Sequence, residues 1–170
     1  MNKTLGAIII VISTTILSYI PVHEKIKRKE LVDELLTVFK IIERELHTNM
    51  LSLPEIIELI STKKYRLTSE LFININSDIT EQGVAFFEES WHNHISKFKP
   101  YLNNYEFNQL NMFGSVLGQY VLEDQIRYIQ ECIFAFNGAH ENIVNTIKEK
   151  SKLYISVGIS CGLVIIILLL

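Results

Sequence analysis

Two histidines, at positions 92 and 94, and two adjacent carboxylate pairs, Glu88 with Glu89 and Glu123 with Asp124, are the residues whose types suggest chemistry. Histidines hold a divalent ion together when they share a helix face. Residues two apart on a helix point about 200° away from each other, so His92 and His94 are not a metal pair. Carboxylates act as general acid and base when separate elements hold them on either side of a substrate; neighbours on one helix form a solvated acidic face. His140 falls on an apolar helical repeat, where an imidazole serves packing or an interface. Cys132 and Cys161 make neither a CxxC motif nor a disulfide framework. Phosphate loops, nucleophile elbows and HExxH are absent from the sequence. These residues predict no enzyme: no catalytic machinery, cofactor, metal or small-molecule substrate.

The elements that carry these residues lie between two apolar runs. Leu5 to Val22 and Leu153 to Leu170 contain no charged side chain, and 18 residues of helix reach about 27 Å, close to the hydrocarbon thickness of a bilayer. The spacing predicts a membrane helix over 1–22, a helical domain over 23–152 and a second membrane helix over 153–170. A cleavable signal peptide is the competing reading of the first run, because Lys3 precedes it and Ser13, Thr14 and Thr15 are small. It lacks an alanine-type cleavage site, however, and the apolar run continues through Ile16, Leu17, Tyr19 and Ile20. Lys25, Lys27, Arg28 and Lys29 follow the first span, and Lys148, Lys150 and Lys152 precede the second. The excess of positive charge on that side predicts that 23–152 faces the cytoplasm. Gly158 and Gly162, with Ser156 and Ser160, give the second span a small-residue face for packing against another helix, the first span being the nearest partner.

The middle of the chain reads as a bundle of about six helices. Val32, Leu35, Phe39, Ile42 and Leu46 recur at spacings of three and four, the signature of one amphipathic helix over 25–47. Ser52, Pro54 and Glu55 form a helix start of the capping-box type, with Ile56, Ile57, Leu59 and Ile60 as its core face. A third helix after Thr68 carries Leu71, Phe72 and Ile75 and is expected to end at Asn76, Ser77 and Asp78. A fourth follows Gly83 with Phe86, Phe87, Trp91, Ile95 and Phe98 and stops at Pro100. A fifth, over 104–117, places Phe107, Leu110, Phe113 and Leu117 on one side, with Gly118 as its cap. In the last helix Leu122, Ile126, Ile129, Ile133, Phe136, His140, Ile143 and Ile147 keep an alternating four-three spacing, a heptad seam expected to run straight into the second span. The fold class is therefore all-α.

Charge is unevenly placed along this bundle. Ten carboxylates lie between Glu70 and Glu141 against Lys97, Lys99 and Arg127, while basic residues gather near the spans, where they meet anionic lipid. A net charge of −3 and the absence of a basic stripe interleaved with aromatics argue against nucleic acid. The acidic stretch offers a surface for a positively charged partner, with Glu88, Glu89, Glu123 and Asp124 as its chosen residues. A two-span signalling or sensor protein is the rival reading, but neither terminus is long enough to supply a sensing module.

Taken together, these residues resemble stage III sporulation protein AB of endospore-forming bacteria. The resemblance is carried by Leu5, Gly6 and Ala7, the basic run after them, Leu53-Pro54-Glu55, Trp91, the FGxxLG of Phe113, Gly114, Leu117 and Gly118, Gln125, and the ending from Gly162. Where the family usually has a Ser-Asp pair before the last helix, Tyr120 and Val121 stand here. The resemblance implies a cytoplasmic helical domain like that of the type II secretion F platform protein, in the complex joining mother cell and forespore. It further implies a location in the mother-cell membrane, other channel subunits as neighbours, and the cytosolic sporulation AA ATPase as partner.

Overall fold

The computed structural model describes residues 20–117 and 121–169, with the side chains of 24–117, 121–149, 156 and 160. Among the described residues there are six α-helices and no strand: α1 (Ile20–His47), α2 (Leu53–Ser61), α3 (Ser69–Gln82), α4 (Phe87–Ile95), α5 (Asn104–Val116) and α6 (Leu122–Leu169). Two 3-10 turns, Val84–Phe86 and Ser96–Tyr101, flank α4. The chain divides into two units, one formed by Arg28–His140 and the other by the residues on either side of it, Met1–Lys27 and Glu141–Leu170.

Within the Arg28–His140 unit, α1 contributes the longest buried stripe. Val32, Leu35, Phe39 and Ile42 are fully buried and Leu46 nearly so, as the three-and-four spacing requires. Helix α2 opens as its sequence dictates: Pro54 sits in the first turn, where a missing N–H costs nothing, and the Glu55 carboxylate accepts from the Ser52 N–H at 2.8 Å and its hydroxyl at 2.6 Å. Ile56, Ile57 and Ile60 form its core face. Leu59 is only half-buried, and the fourth position belongs to Leu53.

Helix α3 runs past the expected stop at Asn76–Asp78 to Gln82. Ile79, four residues beyond Ile75, is buried and prolongs the apolar face, and Asp78 finds partners on α4, so the polar run does not break the helix. Gly83, at φ +93°, ends it, a backbone conformation that suits glycine. Helix α4 gives way to a 3-10 turn that includes Pro100, and Trp91, Ile95 and Phe98 are buried along this stretch. Helix α5 is capped by Asn103, whose side chain accepts from the Glu106 N–H at 2.8 Å. The expected cap at Gly118 and the departure at Tyr120 lie outside the described residues.

The seam of α6 differs from the one expected. Ile129, Phe136 and Ile143 are buried, but the alternating positions are Cys132 and Ala139, while Ile126, Ile133, His140 and Ile147 are half-buried and Leu122 is exposed. One half of the expected seam is thus kept, and the other half is displaced by one residue, from Ile133 to Cys132 and from His140 to Ala139. The Phe136 ring packs against Phe39 of α1, at 5.2 Å between centroids.

Among the residues whose side chains are described, no helix is long and apolar enough to cross a membrane. Residues 5–19 of the first apolar run lie outside them. Over 153–169 the backbone is helical as the last part of α6, but the surroundings of Gly158 and Gly162 fall outside the described side chains.

Candidate functional site

An aromatic cluster joins the helices of the Arg28–His140 unit. Phe39 of α1 lies 4.8 Å from Phe113 of α5, and Phe113 lies 5.1 Å from Trp91 of α4. Phe72 and Phe87 meet the other sides of the indole at 6.2 and 5.8 Å. The indole N–H, which cannot be left unpaired in a core, donates to the Leu110 carbonyl at 2.8 Å. Gly114 is where the indole rests: a β-carbon there would fall 2.3 Å from Trp91 Cδ1. Phe113 and Gly114 therefore act as a seat for Trp91, and Leu117, itself buried, closes α5 by donating its N–H to the Phe113 carbonyl. Leu53, Pro54 and Glu55 likewise build a helix start, and Gln125 is half-buried on α6. Leu53, Pro54, Glu55, Phe113, Gly114 and Leu117 thus belong to the framework, and Gly118 lies outside the described residues.

Polar groups tie the same helices together. Glu106, buried on α5, receives Arg28 of α1 through both carboxylate oxygens, at 2.7 and 3.0 Å, and also accepts from the Asn103 backbone and side-chain amides. Arg28 and Lys29 were expected in a basic cluster near lipid; Arg28 is held by Glu106, and Lys29 by Asp33 at 2.6 Å. Glu34 of α1 accepts from the N–H groups of Arg66, Leu67 and Thr68 and from the Thr68 hydroxyl, fixing the chain where α3 begins. The spacing Asn103-x-x-Glu106 repeats that of Ser52-x-x-Glu55 and is the signal by which Glu106 could have been found; nothing local marks Arg28 as its partner, or Glu34 as the acceptor for the N–H groups of 66–68.

The histidines diverge as their spacing requires. His92 faces α5, with Asn111 at 2.7 Å and Ser115 at 3.3 Å, whereas His94 faces Asp78 of α3 at 3.0 Å. Ser90, Asp78 and His94 are the catalytic residue types, yet the Ser90 hydroxyl donates to Asp78 at 2.5 Å and not to the imidazole, so the histidine is not placed to take the serine's proton. That hydroxyl, aided by His94, holds the Asp78 carboxyl below its ordinary value. His140 meets Asp33 of α1 at 2.5 Å. Burial pushes the Cys132 thiol up to about 12, which leaves no thiolate at neutral pH. Among the described residues no three His, Cys, Asp or Glu gather as metal ligands.

The four acidic residues chosen for docking occupy two places. Glu88 and Glu89 lie in the first turn of α4, and Glu123 and Asp124 in the first turn of α6, where negative charge also favours the helix dipole. Glu89 and Glu123 are exposed; Asp124 pairs with Arg127 at 2.7 Å, and Glu88 stands 3.6 Å from His92. Other members of the acidic stretch are neutralised: Glu106 by Arg28, and Glu70 by Lys97, which lowers its carboxyl pKa. Besides these, α5 and α6 border an open cleft of about 430 Å³ lined by Tyr105, Gln109, Arg127, Gln130, Glu131 and Phe134. Periodicity concealed it, since Tyr105 and Phe134 lie off both apolar stripes.

The arrangement is that of an all-helical domain with a continuous aromatic core and an acidic, partly aromatic exterior. The family model described as stage III sporulation protein AB matches residues 3–170. The chain belongs to that family, and it is a sporulation-related protein. No curated protein and no solved structure matches it.

Proposed function

We propose that this protein is a membrane-anchored, non-enzymatic adaptor of the sporulation channel complex that docks a cytosolic ATPase beside the membrane between mother cell and forespore. The observation that carries the reading is the match of the sporulation family along residues 3–170, together with apolar runs at both ends of that span. Residues 5–22 and 153–170 anchor the chain in the mother-cell membrane. The seven basic residues beside the two runs keep 23–152 in the cytoplasm. The helical domain then presents the exposed carboxylates Glu89 and Glu123, with Glu88 and Asp124 beside them, to a basic partner surface. A docking role needs a rigid frame, and the Trp91 cluster and the Arg28–Glu106 pair support that requirement.

Co-purification tests the reading. The full chain, extracted in detergent from sporulating cells, is expected to bring down the sporulation AA ATPase and other channel subunits. Recovery of the chain without the ATPase, under conditions where other subunits remain attached, would remove the docking role.

A further inference from the structure

The cleft between α5 and α6 exposes two rings that neither core stripe uses. Phe134 is 82% and Tyr105 61% exposed, and both line the same cleft as Glu131. Single exposed aromatics are ordinary; two that line one cleft from different helices, together with a carboxylate, are a more specific arrangement. A ring face attracts a cation, arginine most often, and a carboxylate beside it adds a charge-assisted hydrogen bond. Arg127, the cation on the cleft, is already held by Asp124. Glu123 stands exposed in the first turn of α6, and Glu131 is exposed as well. Among the described residues, the carboxylates of Glu123, Asp124 and Glu131 outnumber the one cation, Arg127, on this face, and the amides of Gln109 and Gln130 also line the cleft.

We infer that the α5–α6 cleft is the anchor point of the docking surface and takes an arginine-bearing segment of the partner protein, its guanidinium stacked on Phe134 and Tyr105 and bonded to Glu131. This rests on the docking reading above. The carboxylates at the start of α6 attract the basic partner, and the two rings hold it. Acidic residues alone would give a contact that salt dissolves; stacked rings give one that retains part of its affinity when charges are screened.

Isothermal titration of the detergent-solubilised full chain with the ATPase tests this. Phe134→Ala and Tyr105→Ala should each weaken binding about tenfold, the size expected of an interface anchor, while Phe134→Trp, which keeps a ring face, should bind like the parent chain. Phe134→Leu should behave like the alanine variant. Phe134 is so exposed that these changes leave the core intact, and circular dichroism should be unaltered. If alanine at 134 and 105 leaves affinity unchanged while Glu123→Lys with Asp124→Lys weakens it, docking stands and the cleft is not its anchor. Parent-like binding by Phe134→Leu would make the contact merely apolar and overturn the arginine. Self-association lost on Phe134→Ala would make a second copy of the chain the occupant and overturn the inference. Absence of any binding by the parent chain would overturn docking and, with it, the proposed occupant.

Discussion

Trp91 and Gly114 form one fitted joint: the indole of α4 occupies the space that any side chain at 114 would need, with Cδ1 only 2.3 Å from the missing β-carbon. Gly114→Ala must push back a ring fixed by Phe72, Phe87 and Phe113 and by its bond to Leu110. A loss of about 2–3 kcal/mol in unfolding free energy is expected, as for overpacked cores. Trp91 is the single tryptophan of the chain, so denaturant titration followed by its emission reads the effect directly. Unaltered stability would mean that α4 and α5 do not approach so closely.

Glu106 joins α1 to α5 and at the same time caps α5. Glu106→Ala leaves the Arg28 guanidinium and the Asn103 amides without their acceptor, and should cost roughly 2–4 kcal/mol, somewhat less than a fully buried pair because Arg28 is partly exposed. Arg28→Ala should cost less, since Asn103 still satisfies Glu106. Equal losses in the two variants by chemical denaturation would show that the cap contributes nothing beyond the ion pair.

Acid should loosen the α3–α4 junction. The Asp78 carboxyl is held below its ordinary value by the Ser90 hydroxyl first and by His94 after it. A carboxylate whose folded pKa lies below its unfolded value stabilises the protein fully above the unfolded value, about 3.9, and loses that contribution as pH falls toward the folded pKa. Thermal midpoints measured from about pH 6 down to about pH 3 should therefore fall more steeply for the parent protein than for Asp78→Asn. Parallel curves would assign the acid sensitivity to other groups.

Much of this was legible in the sequence, and the limits are physical. The stripe of α1 was readable in full, and those of α2 and α5 except at Leu59 and Phe107, which are half-buried, because burial on one face imposes a period of 3.6. The alternating positions of α6 misled because Ile133 is larger and more apolar than Cys132, yet it is the small residue that is buried; residue type ranks hydrophobicity, whereas packing selects volume. The end of α3 was misplaced because Asp78 looks like a turn residue until Ser90 and His94 are known to bind it. The seat of Trp91 was visible only as a motif, and the cleft at Tyr105 and Phe134 not at all, since exposed rings on separate helices share no local pattern.

The topology has a direct chemical readout. Gln82 is exposed at the end of α3, and a cysteine there, in a Cys161→Ser background, is a reporter of sidedness; Cys132 is buried with its thiol pushed up to about 12 and stays silent. In intact cells the Gln82→Cys protein should resist a membrane-impermeant maleimide and react after lysis. Reaction before lysis would place this domain outside the cytoplasm.

Charge reversal decides whether the acidic exterior docks the ATPase. Glu88, Glu89, Glu123 and Asp124 changed together to lysine should weaken or abolish binding of the full chain to the ATPase in titration calorimetry, and added salt should weaken the parent contact. Reversal of Lys148 and Lys150 to glutamate should leave affinity nearly unchanged. Circular dichroism must first establish that the variants are folded. Parent-like affinity in the folded four-site variant, with an active ATPase preparation, would contradict the account and leave the acidic surface with solubility as its role.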